Sequence, residues 1–391
     1  MKVLYLVSGI GPPAGWGTEF IQNLIFALSQ KGVEATIINP IYKHTHPDWK
    51  TWTKEVEKKY KVRIISLEAP GWIKERLLLH FALTPLFVTL TAIKLLRKEK
   101  FDLIHEFSST PIILLRSSFL KALFHTPIVF TLSVYNNTIL GKLFWIKLLD
   151  FAEIYLLPSR DIIAAVKSLG IKDQKIAYCP PGMNLDRFHK TVSRADAREK
   201  LQLPINKFIF SYFGSLTKEK GVLDLVEAAK LVKREVQKEI SIILFAVWKG
   251  SGQHQKIKEE IESLNLSYLK LVEKYVDIPT LLAASDAVIL PQQTGHGTTI
   301  PPISIIETLA SGKPLITTGI LGVKESLNSN NHILIPPRDP SSIAHAMETV
   351  FRQRSFSVFE NRRVLTIFEI KKSVSLHLKV YEALLLWPTD K

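Results

Sequence analysis

The sequence is poor in cysteine, in acidic charge and in long apolar runs. Its single cysteine, Cys179, permits no internal disulfide and no cysteine-based zinc site. That scarcity predicts a reducing compartment, the cytosol. Eleven histidines are scattered without metal-ligand spacing. No Walker A loop, nucleophile elbow or HExxH helix occurs, which leaves P-loop, α/β-hydrolase and zincin chemistry without their signatures. The chain opens Met1-Lys2 and runs straight into Val3–Val7, too short for the apolar core of a signal peptide, so none is expected. One uncharged, largely apolar run, Leu77–Ile93, is only at the lower limit for spanning a bilayer, and it contains His80, Thr84, Pro85, Thr89 and Thr91. A helix lying on a sheet or in a membrane interface is the expectation there.

What is present is a globular chain of 391 residues, 46% hydrophobic and 22% charged. That length asks for two or three domains. Lys and Arg number 51 against 36 Asp and Glu, a formal net charge of +15. Up to Lys190 there are 25 basic and 15 acidic residues, so the excess is concentrated in the first half. An anionic partner is implied: membrane headgroups, nucleic acid or phosphorylated substrates.

Short apolar strands alternate with helical stretches, the pattern of a parallel α/β sheet. Strands are predicted at Lys2–Val7, Ala35–Ile38, Val62–Ser66, Leu103–His105, Ile128–Thr131, Ile154–Leu157 and Ile176–Cys179. Phe20, Leu24, Ala27 and Leu28 recur at helical spacing within Thr18–Lys31, with Gly32 ending the helix. Composition shifts at Pro180–Leu203, and strands resume at Phe208–Phe213, Ile240–Ala246, Ala287–Leu290, Leu315–Thr317 and His332–Ile335. The division is therefore residues 1–190 and 191–370. Two such sheets, each wound with helices, are expected to bind ligand outside the carboxyl ends of their strands, in an interdomain cleft.

Three segments carry candidate chemistry. The loop Gly9–Glu19 follows the first strand and includes Gly15 and Gly17, suited to close approach of backbone to a ligand. Pro12 and Pro13 and the missing acidic residue after the second strand argue against a dinucleotide fingerprint. The loop Gly214-Ser215-Leu216-Thr217-Lys218-Glu219-Lys220-Gly221 repeats that placement with lysines, which can neutralise a departing phosphate or simply face solvent. In Thr299–Pro314, Ser304 and Glu307 fit a capping box, and Gly312 with Pro314 ends a short helix. A helix N-terminus there favours a diphosphate, and Glu307 one turn in could bind ribose hydroxyls. His105, at the end of a predicted strand, is a candidate for ligand contact, although a lone histidine there is more often core.

In fixed order, Gly15–Glu19, Phe101–His105, Pro180–Phe188, Gly214-Ser215-Leu216 with Lys220-Gly221, Asp277–Asp286, Glu307 with Ala310–Pro314, Gly322–Glu325 and Ile335–Pro340 resemble the motifs of family 4 glycosyltransferases. The resemblance runs nearly end to end and is strongest from Cys179 to Met347. It implies a GT-B fold: two Rossmann-like, doubly wound parallel-sheet domains facing across a cleft. It implies an acceptor-side domain first, a nucleotide-sugar-binding domain second, and a final helix, residues 371–391, crossing back to the first. The implied activity is a retaining hexosyl transfer from a nucleotide sugar to an acceptor hydroxyl, with no bound metal or other cofactor. By the same resemblance, Lys220 and Glu307 act at the diphosphate and ribose, with His105 as the third catalytic candidate. Gly15, Gly17, Gly214, Ser215, Lys218, Thr299, Ile303 and Ser304 line the donor, and Glu19 and Ser133 lie on the acceptor side.

The sequence departs from the family pattern at three positions. Thr299 stands where a second glutamate is usual, Ser215 where an arginine is usual, and Ser133 where a histidine is usual. Lys218 is a substitute cation for the arginine. These substitutions keep open an alternative, a GT-B sugar-binding or partner subunit without turnover. Basic residues around Leu77–Ile93 suit a lipid-linked acceptor and peripheral docking on the inner, anionic face of a cell membrane. Nucleic acid is not expected as a partner, since no recognition motif accompanies the charge.

Overall fold

The computed structural model describes residues 1–11, 19–41, 48–68, 77–108, 111–132, 152–188, 192–246, 253–295, 300–320, 322–327, 332–354 and 365–386. The chain forms two compact units, one of Met1–Met183 with Glu369–Lys391, the other of Asn184–His296 with Ile300–Phe368. The chain thus passes between units after Met183 and again after Phe368, against the predicted junctions at 190 and 370.

The first unit holds a seven-stranded parallel sheet: β1 Lys2–Leu6, β2 Glu34–Ile41, β3 Arg63–Glu68, β4 Leu103–Ser108, β5 Ile128–Leu132, β6 Ile154–Leu157 and β7 Ile176–Tyr178. Their order is β3-β2-β1-β4-β5-β6-β7. Central strands of a parallel sheet are covered on both faces, so they read as unbroken apolar runs, as the wholly buried Ile128–Leu132 does. Helix Glu19–Ser29 buries Phe20, Ile21, Leu24, Ile25, Phe26 and Leu28. The uncharged run becomes helix Leu77–Lys98, which packs on β2 and against helix Pro111–Phe124. It buries Val88, Ala92 and Leu95 and exposes Leu86 and Leu90. No helix among the described residues is long and apolar enough to cross a membrane. Helix Pro111–Phe124 is tied to β4 by a buried ion pair, Arg116 Nη2 to Glu106 Oε1 at 2.6 Å.

The final helix, Ile370–Leu386, is part of this first unit and packs on helix Glu19–Ser29. Ile370 N–H donates to the Met183 carbonyl (2.9 Å), and Gly182 lies so near Ser373 that a Cβ on it would come within 2.5 Å of the Ser373 Cβ. Burial holds His377 down to about 4 and pushes the Cys179 thiol up to about 12, so this buried pair is an uncharged packing contact.

The second unit holds a six-stranded parallel sheet: β8 Phe208–Phe213, β9 Ile240–Phe245, β10 Leu269–Val272, β11 Ala287–Leu290, β12 Leu315–Thr318 and β13 His332–Ile335. The order is β10-β9-β8-β11-β12-β13. β10 has no counterpart among the predicted strands. It is a four-residue edge strand with only Leu269 buried, and a half-exposed edge lacks the continuous apolar signal of its neighbours. Connections run outward from β8 on one side and from β11 on the other. The boundary between these two strands is the sheet's topological switch point, where ligands of open α/β sheets bind.

Candidate functional site

Two candidate segments leave the carboxyl edge of the second unit's sheet at that switch point. β8 runs into Gly214, whose N–H donates to the Phe245 carbonyl (3.1 Å). The Ser215 carbonyl accepts the Tyr212 hydroxyl at 2.7 Å, and the Lys218 N–H donates to Gln253 Oε1 at 2.8 Å. A 3-10 turn over Lys218–Lys220 then meets Gly221, the left-handed residue (φ 69°) that starts helix Val222–Leu231. A Cβ on Gly221 would lie 1.8 Å from the Pro291 carbonyl oxygen, which only a glycine avoids. The loop is thus seated directly on the end of β11. Gln293 completes the seat: its N–H donates to the Glu219 carbonyl (2.9 Å) and its Nε2 to Asp224 Oδ2 (2.8 Å).

Lys220 lies in this seat, and burial lowers its ammonium to about 8. Removal from water disfavours the charged form, so an arriving anion would restore it. Lys218, two residues before, is exposed.

The second segment is helix Ile303–Ala310, which packs on β11 and β12. Its N-cap is Pro302, which provides no side-chain cap, and the Ile300–Pro301 peptide is cis. This corrects the expected capping box. With Pro302 as cap, Ser304 stands inside the first turn, and its carbonyl accepts the Thr308 hydroxyl at 2.7 Å. Pro302 contributes no cap side chain to this first turn, and the helix dipole makes its N-terminal end electropositive and suited to an anion. Glu307 is buried at 6% exposure.

Between these segments, β11 continues into Pro291-Gln292-Gln293-Thr294. The Thr318 hydroxyl, at the end of β12, donates to the Gln292 carbonyl at 2.5 Å, and Thr317 donates to Leu290 at 2.8 Å. Gln292, Gln293 and Thr294 were not among the sequence candidates. The one signal they offered was a polar run directly after a buried strand.

In the first unit, the loop after β1 is pinned by Asn39: Ile10 N–H donates to Asn39 Oδ1 (2.8 Å), and Asn39 Nδ2 donates back to the Ile10 carbonyl (3.0 Å). Glu19 begins the following helix. Gly15, Gly17, Ser133 and Thr299 lie outside the described residues. His105 is placed otherwise than expected. β4 extends to Ser108, so His105 sits in mid-strand, fully buried, and its ring nitrogens meet the hydroxyls of Tyr381 and Thr131. Burial and the neighbouring His377 hold it well below the usual histidine range. It is a satisfied core residue with no ring nitrogen left for a substrate.

A family model described as "Glycosyl transferases group 1" matches residues 193–365, and one described as "Glycosyltransferase Family 4" matches residues 17–187. The chain is 27% identical over 300 residues to an Escherichia coli UDP-Gal:alpha-D-GlcNAc-diphosphoundecaprenol alpha-1,3-galactosyltransferase, covering 72% of this chain and 75% of that protein. It is 26% identical to a Bacillus subtilis (strain 168) putative teichuronic acid biosynthesis glycosyltransferase, TuaC, over 50% of this chain and 46% of that protein. Among solved structures it resembles Anabaena HepE in complex with UDP-glucose (TM-score 0.73, 18% identity, covering 98% of this chain and 100% of the other). It also resembles sucrose-phosphate synthase from Thermosynechococcus elongatus (TM-score 0.78, 18% identity, 98% and 99%).

Proposed function

Since the chain belongs to the family 4, group 1 glycosyltransferases of GT-B fold, we propose that it moves a hexosyl group from a UDP-sugar to a hydroxyl of a lipid-diphosphate-linked acceptor, with retained configuration. Donor and acceptor class are inferred from the UDP-glucose complex of the HepE neighbour and the printed name of the Escherichia coli relative. The observation that carries the reading is the seat of Gly221 on Pro291. It puts the partly desolvated Lys220 at the same sheet edge as the electropositive start of helix Ile303–Ala310.

In the reaction the anomeric C–O bond of the donor breaks, and its electron pair goes to the β-phosphate of UDP. The acceptor oxygen forms the new C–O bond, and its proton passes to the departing phosphate on the same face. Stabilising the developing diphosphate charge is the main requirement. Lys220 and the amides of Ile303 and Ser304 supply that stabilisation, with Lys218 as a second cation where Ser215 replaces the usual arginine. Glu307 accepts ribose hydroxyls. No divalent ion is assigned a role. Substitution by Ser215, Ser133 and Thr299 favours a second reading, a sugar-binding subunit without turnover.

The acceptor's lipid is brought in by the first unit. Leu86 and Leu90 on one helix and Leu115, Phe119 and Leu123 on its neighbour are exposed at i, i+4 spacing. Lys94, Arg97 and Lys98 continue the exposed side of the first of these helices. An apolar face bordered by cations suits an anionic bilayer surface.

Transfer from labelled UDP-hexoses to a polyprenyl-diphosphate-linked sugar tests the reading. Lys220→Ala and Glu307→Ala are each expected to lower kcat/KM by about 10²- to 10³-fold while leaving the far-UV spectrum intact. Binding of a UDP-hexose with no turnover on any acceptor would favour the subunit reading instead.

A further inference from the structure

Gln292 is held by its backbone, while its side-chain Oε1 is left without a partner. Its N–H donates to the Leu290 carbonyl (3.0 Å), and its own carbonyl accepts the Thr318 hydroxyl (2.5 Å). The residue is 2% exposed, yet its side-chain Oε1 finds no hydrogen-bond partner. Two residues on, the Thr294 Oγ1 is also buried without one. Its neighbours, in contrast, are fully engaged. Pro291 seats Gly221, and Gln293 holds the lysine loop through Glu219 and Asp224. A buried acceptor left unpaired weakens the folded state, and an apolar side chain of the same size would not. The fold therefore gains nothing from this carbonyl oxygen, on a residue that follows directly on the seat of the lysine loop.

The chemistry of the missing partner follows from the free atom. A carbonyl oxygen accepts hydrogen bonds, so the partner must bring an O–H or N–H. Diphosphate oxygens at neutral pH bring neither. We propose that Gln292, with Thr294 beside it, reads a sugar hydroxyl of the nucleotide-sugar donor, on the hexose or on the ribose. This assignment rests on the donor-binding reading of the second unit.

Thermal unfolding and titration calorimetry of the full chain, wild type and variant, with UDP, UDP-glucose and UDP-galactose, test it. Without ligand, Gln292→Leu is expected to melt no lower than wild type, because it removes an unpaired group. Its affinity for the UDP-hexose bound by wild type is expected to fall roughly 10-fold, the loss of one neutral hydrogen bond plus a stranded hydroxyl. Unchanged affinity for UDP would place the hydroxyl on the hexose, and an equal fall for UDP would place it on the ribose. Gln292→Glu keeps an acceptor and is expected to stay within about 3-fold of wild type. A Gln292→Leu variant that melts several degrees lower with unaltered affinities would make Gln292 a structural residue and overturn the assignment. So would a larger loss in Gln292→Glu than in Gln292→Leu, since that pattern belongs to a diphosphate contact. A wild-type protein that binds none of the three nucleotides overturns the donor reading itself, and this assignment with it.

Discussion

A lysine partly withdrawn from water gives up its proton more readily than one in bulk solvent, and burial lowers Lys220 to about 8. The unfolded chain keeps that proton to about pH 10.4. Between those two values the unfolded state binds more protons, so stability rises with pH through that window. Donor binding runs the other way, because the diphosphate needs the ammonium. The kcat/KM profile is therefore expected to fall above about pH 8, and the limb in kcat to lie higher, since bound diphosphate restores the charge. Lys220→Arg should flatten the limb, and an alkaline limb that survives in Lys220→Met would assign it to another group. Lys220 and Glu307 stand out in the sequence as candidates because motif order and the family resemblance mark them. Gln292 was not, because its distinction is burial without a partner, which exists only once neighbouring strands are in place. His105 was misread for a related reason: its role depends on where β4 ends and on Tyr381, 276 residues away.

Among the elements, the turn carrying Lys220 is held against the end of β11 by the close approach of Gly221 to Pro291 and by the hydrogen bonds of Gln293. Gly221→Ala would place a methyl carbon 1.8 Å from the Pro291 oxygen at φ 69°. Either the loop lifts or the strand end shifts. The expected cost is about 3 kcal/mol in chemical denaturation, with lost donor affinity; unchanged stability and affinity would show that the loop is not seated this way. Most strands could be read from their apolar runs, since burial on both faces writes itself into composition. β10 could not, and neither could the helix start at Ile303. There the Ser304–Glu307 spacing imitated a capping box, while Pro302 set the actual boundary.

For the molecule as a whole, the net +15 predicts where it goes as well as what it binds. Flotation with vesicles containing anionic lipid is expected to recover the protein at low salt and progressively less as salt rises. Leu90→Glu with Phe119→Glu should reduce recovery several-fold and leave UDP-hexose binding unchanged; recovery independent of lipid charge would remove the membrane proposal. That the chain holds two parallel sheets was legible from the restart of the strand alternation after residue 200. That the final helix belongs with the first unit was implied by the family resemblance alone and is written in no local pattern, because it depends on Gly182 admitting Ser373 and on Tyr381 reaching His105. A gene cut after Met183 would therefore encode the first unit without its cover, leaving Tyr5, His105 and Cys179 facing solvent. To produce that half alone, the segment 369–386 would have to be supplied as a peptide or fused ahead of Met1 as a circular permutant.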